Sequence, residues 1–303
     1  MPPNDKVVSP SELDSLPLEP SLPFPDGQTE ASIISLFTSF ELEGAPKEEL
    51  SNYWRQDWKR FIYTYGLTSG LTGRCLELGA NPYFTTLLLK YFTRLDLTLA
   101  NYFGPQLTPR SAQKVSATNP QSGELETHLL EFEHFNLEEA QFPFPANSFD
   151  VVLLCEVIEH LQIDPVKVLL EIKRVLKPEG HLVLTTPNVN RLENVCRIAA
   201  GANIYDPYSG YGPYGRHNRE YNKHELALLL NYCGFDLEVL FSADVHENIS
   251  SNIFPVEQIV PLVRFREHDL GQYLFSRSRG CRAAGSKRPA WLYRSYPAAD
   301  LEP

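Results

Sequence analysis

The 303-residue chain lacks any stretch near the ~20 consecutive apolar residues that cross a bilayer, so no membrane span is expected. Cysteine is scarce. The five (Cys75, Cys155, Cys196, Cys233, Cys281) stand far apart with no CxxC pair, which argues for free thiols in a reducing compartment rather than a disulfide framework or a thiolate metal site. No metal-ligand set is read from the sequence. The start of the chain has no basic segment followed by an apolar one, so a signal peptide is not expected and the cytoplasm is the expected location. Basic charge is also short: 27 Lys+Arg against 38 Asp+Glu leave a formal charge of −11. That excludes the dense positive surface that grips nucleic acid phosphates. From Arg264 to Arg294 the balance reverses, with eight Arg/Lys against Glu267 and Asp269. This stretch is either a solvated face or a surface for an anionic substrate or phospholipid head groups.

Aromatic residues are abundant, with 15 Tyr and 17 Phe, and 43% hydrophobic content suits a globular enzyme. Residues 1–28 hold seven prolines and little periodicity, and are expected to form a disordered or extended arm. A helical segment follows over 29–69, where Tyr53, Trp54, Trp58, Phe61 and Ile62 recur three and four apart. Residues 70–245 then alternate short apolar strands with helices, among them Arg74–Leu78, Leu95–Ala100, a run near Leu129–Phe135, Asp150–Cys155 and His181–Thr185. Residues 246–303 form an extension in which Gln272–Arg279 could supply a last, antiparallel strand. This order implies an α/β fold with a doubly wound, mostly parallel sheet and its ligand at the carboxyl ends of the strands.

The segment ELGANP (Glu77–Pro82) falls where the first strand turns into the first helix. Asn81 suits an N-cap and Pro82 a first helical position, so bare amides at Gly79–Asn81 are expected to face a carboxylate. Gly79 permits close backbone approach, and Glu77 could answer an ammonium group.

This turn is similar to the first motif of class I S-adenosylmethionine (SAM)-dependent methyltransferases of the small-molecule type. Glu77 and Gly79 match it, while Asn81 and Tyr83 stand where the family usually has further glycines; Asn81 would tolerate a left-handed φ. FPFPANSFDVVLLCEVIEHL (142–161), LKPEGHLVLTTPN (176–188) and NREYNKHELALLLNYCGFDLEVL (218–240) resemble the later motifs in matched order, over roughly residues 70–245. The resemblance implies a Rossmann-like, seven-stranded sheet and SAM as cofactor. By position it implies Glu77, Gly79, Ala80 and Asn81 around the methionine half and Asn101 with Tyr102 at the ribose. It places Asn136 with Leu137 at the adenine and Cys155 at the end of the fourth strand.

Methyl transfer needs an acceptor held in line with the sulfonium and, for a hydroxyl acceptor, a base. Glu156 and His160 are expected one helical turn apart and facing one cleft, with His160 the first candidate base and nearby Glu159 in the same run. His217, in GRHNREY, is the second candidate, on a loop expected to arch over the substrate. That loop, 201–221, holds Tyr205, Tyr208, Tyr211, Tyr214 and Tyr221, and reads either as an aromatic lid or as an ordered loop packing its own rings. The expected partner is a small-molecule acceptor, glycosyl or anionic, methylated on oxygen. The alternative is a degenerate methyltransferase-fold module that binds without catalysis, since two motif glycines and two acids are replaced.

Overall fold

In the computed structural model, which describes residues 21–139 and 141–302, the apolar segments assemble into a nine-stranded sheet. Its strands are β1 (Glu41–Leu42), β2 (Gly73–Leu78), β3 (Leu95–Asn101), β4 (Arg110–Thr118), β5 (Leu125–His134), β6 (Phe149–Cys155), β7 (Leu176–Pro187), β8 (Asp236–Ala243) and β9 (Tyr273–Arg279). The spatial order is β1-β4-β5-β3-β2-β6-β7-β9-β8. Strands β5, β3, β2, β6 and β7 run parallel, whereas β9 is antiparallel to both β7 and β8. The seven strands expected from the sequence are therefore all present. The hairpin partner β4 and the two-residue β1 extend one edge by antiparallel pairing.

The central strands β2 and β6 are nearly continuous apolar runs because helices cover both faces. On one side lie α1 (Glu30–Ser39), α2 (Lys47–Leu67) and α3 (Phe84–Phe92). Ile33, Phe37, Trp54, Phe61, Phe84 and Leu88 form one buried cluster there, so the N-terminal helices share their core with the sheet. On the other side lie α4 (Pro165–Val175) and, following α5 (Leu192–Ala199) in the chain, α6 (Lys223–Tyr232). Asp164 starts α4 by accepting from Lys167 N at 3.1 Å, with Pro165 at the first helical position.

Residues 1–20 of the expected arm lie outside the described residues. Its remainder is docked: Phe24 stacks on Trp58 with centroids 6.3 Å apart, and Pro23 fills the space a Cβ on Gly66 would need. The tail after β9 folds back onto α4, where Tyr293 Oη donates to Asp164 Oδ1 at 2.6 Å and Arg288 pairs with Asp164 Oδ2 at 2.8 Å. No described helix is long and apolar enough to cross a membrane.

Because Phe37 is 1% exposed and contacts Trp54, Phe61 and Phe84 edge to face or tilted, Phe37→Ala should cost about 3–5 kcal/mol. Urea denaturation should show this as one shifted transition. A separate early transition would mean that the N-terminal helices are not part of the same cooperative unit.

Candidate active site

The chain reverses at Gly79 with φ of +75°, at the carboxyl end of β2. The local bonding differs from the sequence expectation. Gly79 N and Ala80 N both donate to Ala100 O (2.9 and 3.3 Å), and Asn81 N donates to Asn101 Oδ1 (2.9 Å). The amides expected to be bare are thus bound to the end of β3. The Asn81–Pro82 peptide is cis, and Tyr83 N closes a turn on Ala80 O at 2.7 Å, so the helix starts at Phe84 and not at Pro82. Tyr83, not Asn81, takes the left-handed conformation (φ 73°) and the N-cap position. It is held there by a fully buried ring whose hydroxyl donates to Gln113 Oε1 (2.6 Å) and accepts from Asn101 Nδ2 (3.0 Å). Leu87 N is the first amide bonded back within the helix, on Tyr83 O, which leaves the amides of 84–86 as the helix's open donors.

Three cavities meet at this end of the sheet. One of about 60 Å³ is bordered by Glu77, Gly79, Ala80, Asn81, Cys155 and Arg60. A second, of about 180 Å³, is bordered by Gly79, Asn101, Tyr102, Asn136, Leu137 and Tyr214. The third, about 600 Å³, is bordered by Glu156, Glu159, His160, His217, Tyr211 and Tyr273. Glu156 touches all three, and His160 touches the second and third. The nine residues assigned to the cofactor by sequence fall on the first two cavities, and the three catalytic candidates fall on the third.

Asn101 and Asn136 are engaged within the protein. Asn136 Oδ1 accepts from Glu138 N (3.0 Å), while its Nδ2 donates to Glu139 Oε1 (3.1 Å) and to Tyr214 Oη (3.0 Å). Tyr102 stacks on His134 with centroids 5.3 Å apart and meets Tyr214 edge-on at 6.0 Å. The loop tyrosines therefore divide: Tyr205, Tyr208 and Tyr211 are exposed, Tyr214 roofs the 180 Å³ cavity, and Tyr221 is buried in the core.

Burial dominates the electrostatics. It lifts the Glu77 carboxyl to about 8, only partly opposed by the Thr86 hydroxyl donating at 2.7 Å. It lifts Glu156 as well, against the Arg60 charge 3.9 Å away; Thr185 Oγ1 donates to its Oε1 at 2.8 Å. Residues 156–160 are not the helix that the sequence suggested. Glu156 has φ of 55°, which interrupts any helix, and only Ile158–His160 form a single 3₁₀ turn, yet Glu156 and His160 still face one cavity. Glu159 is fully buried and raised by that burial, with Oε2 accepting from Thr186 Oγ1 at 2.9 Å.

The two histidines are poised oppositely. His160 Nδ1 donates to Arg216 O at 2.9 Å, and burial together with the His217 charge lowers its pKa, leaving Nε2 unprotonated. Burial also pulls His217 down, but the hydrogen bond to Glu220 Oε1 (2.9 Å) and the charges of Glu159 and Asp206 outweigh it and lift His217 to about 9.

Sequence reasoning overlooked Arg60 and Asp57. Both are buried on the aromatic face of α2, where Arg60 Nη2 donates to Tyr53 Oη (2.7 Å) and the guanidinium lies over Phe61 (4.9 Å) and Tyr273 (5.6 Å). The available signal was two opposite charges three apart inside an apolar helix face. The basic stretch after Arg264 is largely neutralised within the protein. Arg266 pairs with Asp269, Arg277 and Arg279 with Glu238, Arg282 with Asp236 and Arg288 with Asp164, which leaves little of it to face an anionic partner.

A doubly wound sheet with a glycine turn at β2 and recesses at the strand carboxyl ends is the α/β architecture in which ligands bind at the strand carboxyl ends. Residues 76–184 match the family model described as a methyltransferase domain. A Mycolicibacterium smegmatis protein named as a probable SAM-dependent methyltransferase is 36% identical over 109 residues, 36% of each chain. A Schizosaccharomyces pombe protein named as an uncharacterized methyltransferase is 52% identical over 42 residues, 14% of this chain and 15% of that one. The matches span about a third or less of the curated relatives' length. Among solved structures, a SAM-dependent methyltransferase from Archaeoglobus fulgidus aligns with a TM-score of 0.43 at 15% identity, over 78% of this chain and 95% of that one.

Since Glu77 is protonated below about pH 8 in the free protein, pairing with a ligand ammonium must expel that proton. Binding of S-adenosylhomocysteine near neutral pH should release up to about one proton, and the release should fade above about pH 8. Calorimetry in buffers of different ionisation enthalpy measures it, and no release would place Glu77 away from the ammonium. A Cβ on Gly79 would lie 2.5 Å from Val157 Cγ2 and demand a left-handed φ. Gly79→Val should therefore weaken S-adenosylhomocysteine at least about tenfold while circular dichroism shows a retained fold.

Proposed function

We propose that the protein transfers a methyl group from SAM to a hydroxyl oxygen of a small acceptor, a saccharide or glycolipid intermediate. The observation that carries this reading is the meeting of the 180 and 600 Å³ cavities at Glu156 and His160. The residues present fit the cofactor. Gly79, Leu137 and Tyr102 border a slot for a flat base, Glu77 offers a carboxyl for an ammonium, and Arg60 with the open amides of α3 offers positive charge for a carboxylate. When bound, SAM supplies a methyl carbon activated by its sulfonium.

The chain's own task is then placement and proton removal. An acceptor hydroxyl in the 600 Å³ cavity lies against His160 Nε2, the proton acceptor at neutral pH, and against Glu156, which burial lifts to about 8 and which accepts a proton only once it has lost its own. With the acceptor oxygen taking the methyl group that bound SAM would supply, the hydroxyl proton would pass to one of them. His217, raised to about 9, is charged at neutral pH and suits positioning better than proton removal. Tyr211, Tyr273 and Tyr53 give the cavity aromatic faces that pack on the C–H face of a sugar ring, while the carboxylates accept from its hydroxyls.

The test is mass spectrometry of cell extracts incubated with the protein and deuterated-methyl SAM. A saccharide-containing species should gain one labelled methyl on oxygen, and His160→Ala should lower turnover about tenfold or more at saturating SAM. Label on nitrogen or carbon would overturn the O-methyl reading. Tight S-adenosylhomocysteine binding with no labelled product from any extract would favour a module that binds without catalysis.

A further inference from the structure

We propose that Glu159, His160 and His217 form a divalent transition-metal site on the wall of the acceptor cavity. One donor atom from each lies within 4.8 Å of the other two, and Glu159 Oε1 is 3.8 Å from His160 Nε2. Bringing these donors onto a common cation at metal–ligand distances of ~2.0–2.2 Å needs movements under ~1 Å. The residues are distant in sequence, 57 positions separating His160 from His217, which is why the set was not read from the chain.

Glu159 supplies the independent observation. It has no solvent exposure, and among the described residues its Oε1 has no hydrogen-bond partner, while Thr186 holds Oε2 and fixes the carboxylate plane. A buried carboxylate oxygen without a partner is costly, and a cation satisfies it. His160 spends Nδ1 on the Arg216 carbonyl, which leaves Nε2 as its ligand atom, while His217 spends Nδ1 on the Glu220 carboxylate, itself paired with Arg191, and must release its other ring proton for a cation to take that place beside Glu159. An outer acceptor of this kind sets tautomer and ring orientation in metal-binding histidines. A second cluster, Asp206, His217 and Glu220, is equally close, but its His217 nitrogen is already hydrogen-bonded to the Glu220 carboxylate.

Two imidazoles with one carboxylate favour Mn²⁺, Fe²⁺ or Zn²⁺ over Mg²⁺ or Ca²⁺. All three residues border the 600 Å³ cavity, so the remaining coordination positions open toward the acceptor. The use of such a cation rests on the O-methylation reading. It would hold the acceptor's oxygens and lower the pKa of the hydroxyl, with His160 then a ligand and Glu156 the proton acceptor.

The full chain, stripped of metal by chelation, is titrated separately with Mn²⁺ and Zn²⁺ by calorimetry, with S-adenosylhomocysteine binding and thermal denaturation measured in parallel. One equivalent should bind, and Glu159→Gln and His217→Ala should each weaken it at least about tenfold while S-adenosylhomocysteine affinity is retained. Glu220→Gln, which leaves the three ligands in place, should weaken it about 10–100-fold through His217. No stoichiometric binding of either ion up to about 1 mM, or variants that bind as tightly as the wild type, would overturn the site. Stoichiometric binding combined with a product labelled on nitrogen would uphold the site and remove only the O-methylation reading.

Discussion

The architecture of the site turns on one buried cation. Arg60 reaches out of α2 into a cage of Tyr53, Phe61 and Tyr273, with the carboxyl groups of Asp57 and Glu156 beside it. Those groups come from the N-terminal helix, the end of β6 and the start of β9, so a single guanidinium ties three distant parts of the chain together. Arg suits this place because its flat, delocalised charge is weakly hydrated and stacks on rings. In so dry a setting, loss of one member leaves the others as uncompensated charge, at a cost of about 3–5 kcal/mol. The same dryness lifts the carboxyls of Glu77, Glu156 and Glu159 together.

Much of the sheet was legible in the chain because its strands are apolar on both faces and its helices on one. DVVLLC and HLVLT have no reading other than buried strands at that spacing, and Asp164-Pro165 announces a helix start. The hairpin of β4 and β5 was only half visible. Residues 103–124 are largely polar, and in β4 (RSAQKVSAT) Val115 is the one large apolar residue, too little to mark a strand in the sequence although its burial alternates in the fold. Where local preference misled, tertiary bonding was the cause. Asn81-Pro82 looks like a helix start, but Asn101 captures the Asn81 amide and Gln113 captures Tyr83, so the helix begins two residues later.

The candidate residues were legible as a group that borders common cavities and not as an arrangement. Each cofactor residue suggested by the motifs borders a cavity at the strand ends, yet Asn101 and Asn136 spend their amides on the glycine turn and on Tyr214. Tyr83 stands where a glycine is usual because its ring and hydroxyl are both used; the turn is fixed by packing instead of by backbone freedom. Arg60 and Asp57 escaped because their place in the site follows from burial, which a single sequence does not display.

The placement of β9 between β7 and β8 has a consequence for how the molecule is made. Both flanking strands leave the ribosome well before residues 273–279, and until those arrive each presents a row of unpaired backbone groups along one edge. The 600 Å³ cavity also awaits Tyr273, so neither the sheet nor that cavity is complete until β9 has been made. Final assembly is a late, long-range insertion, the kind of step that is slow and exposes a nascent chain to misassociation.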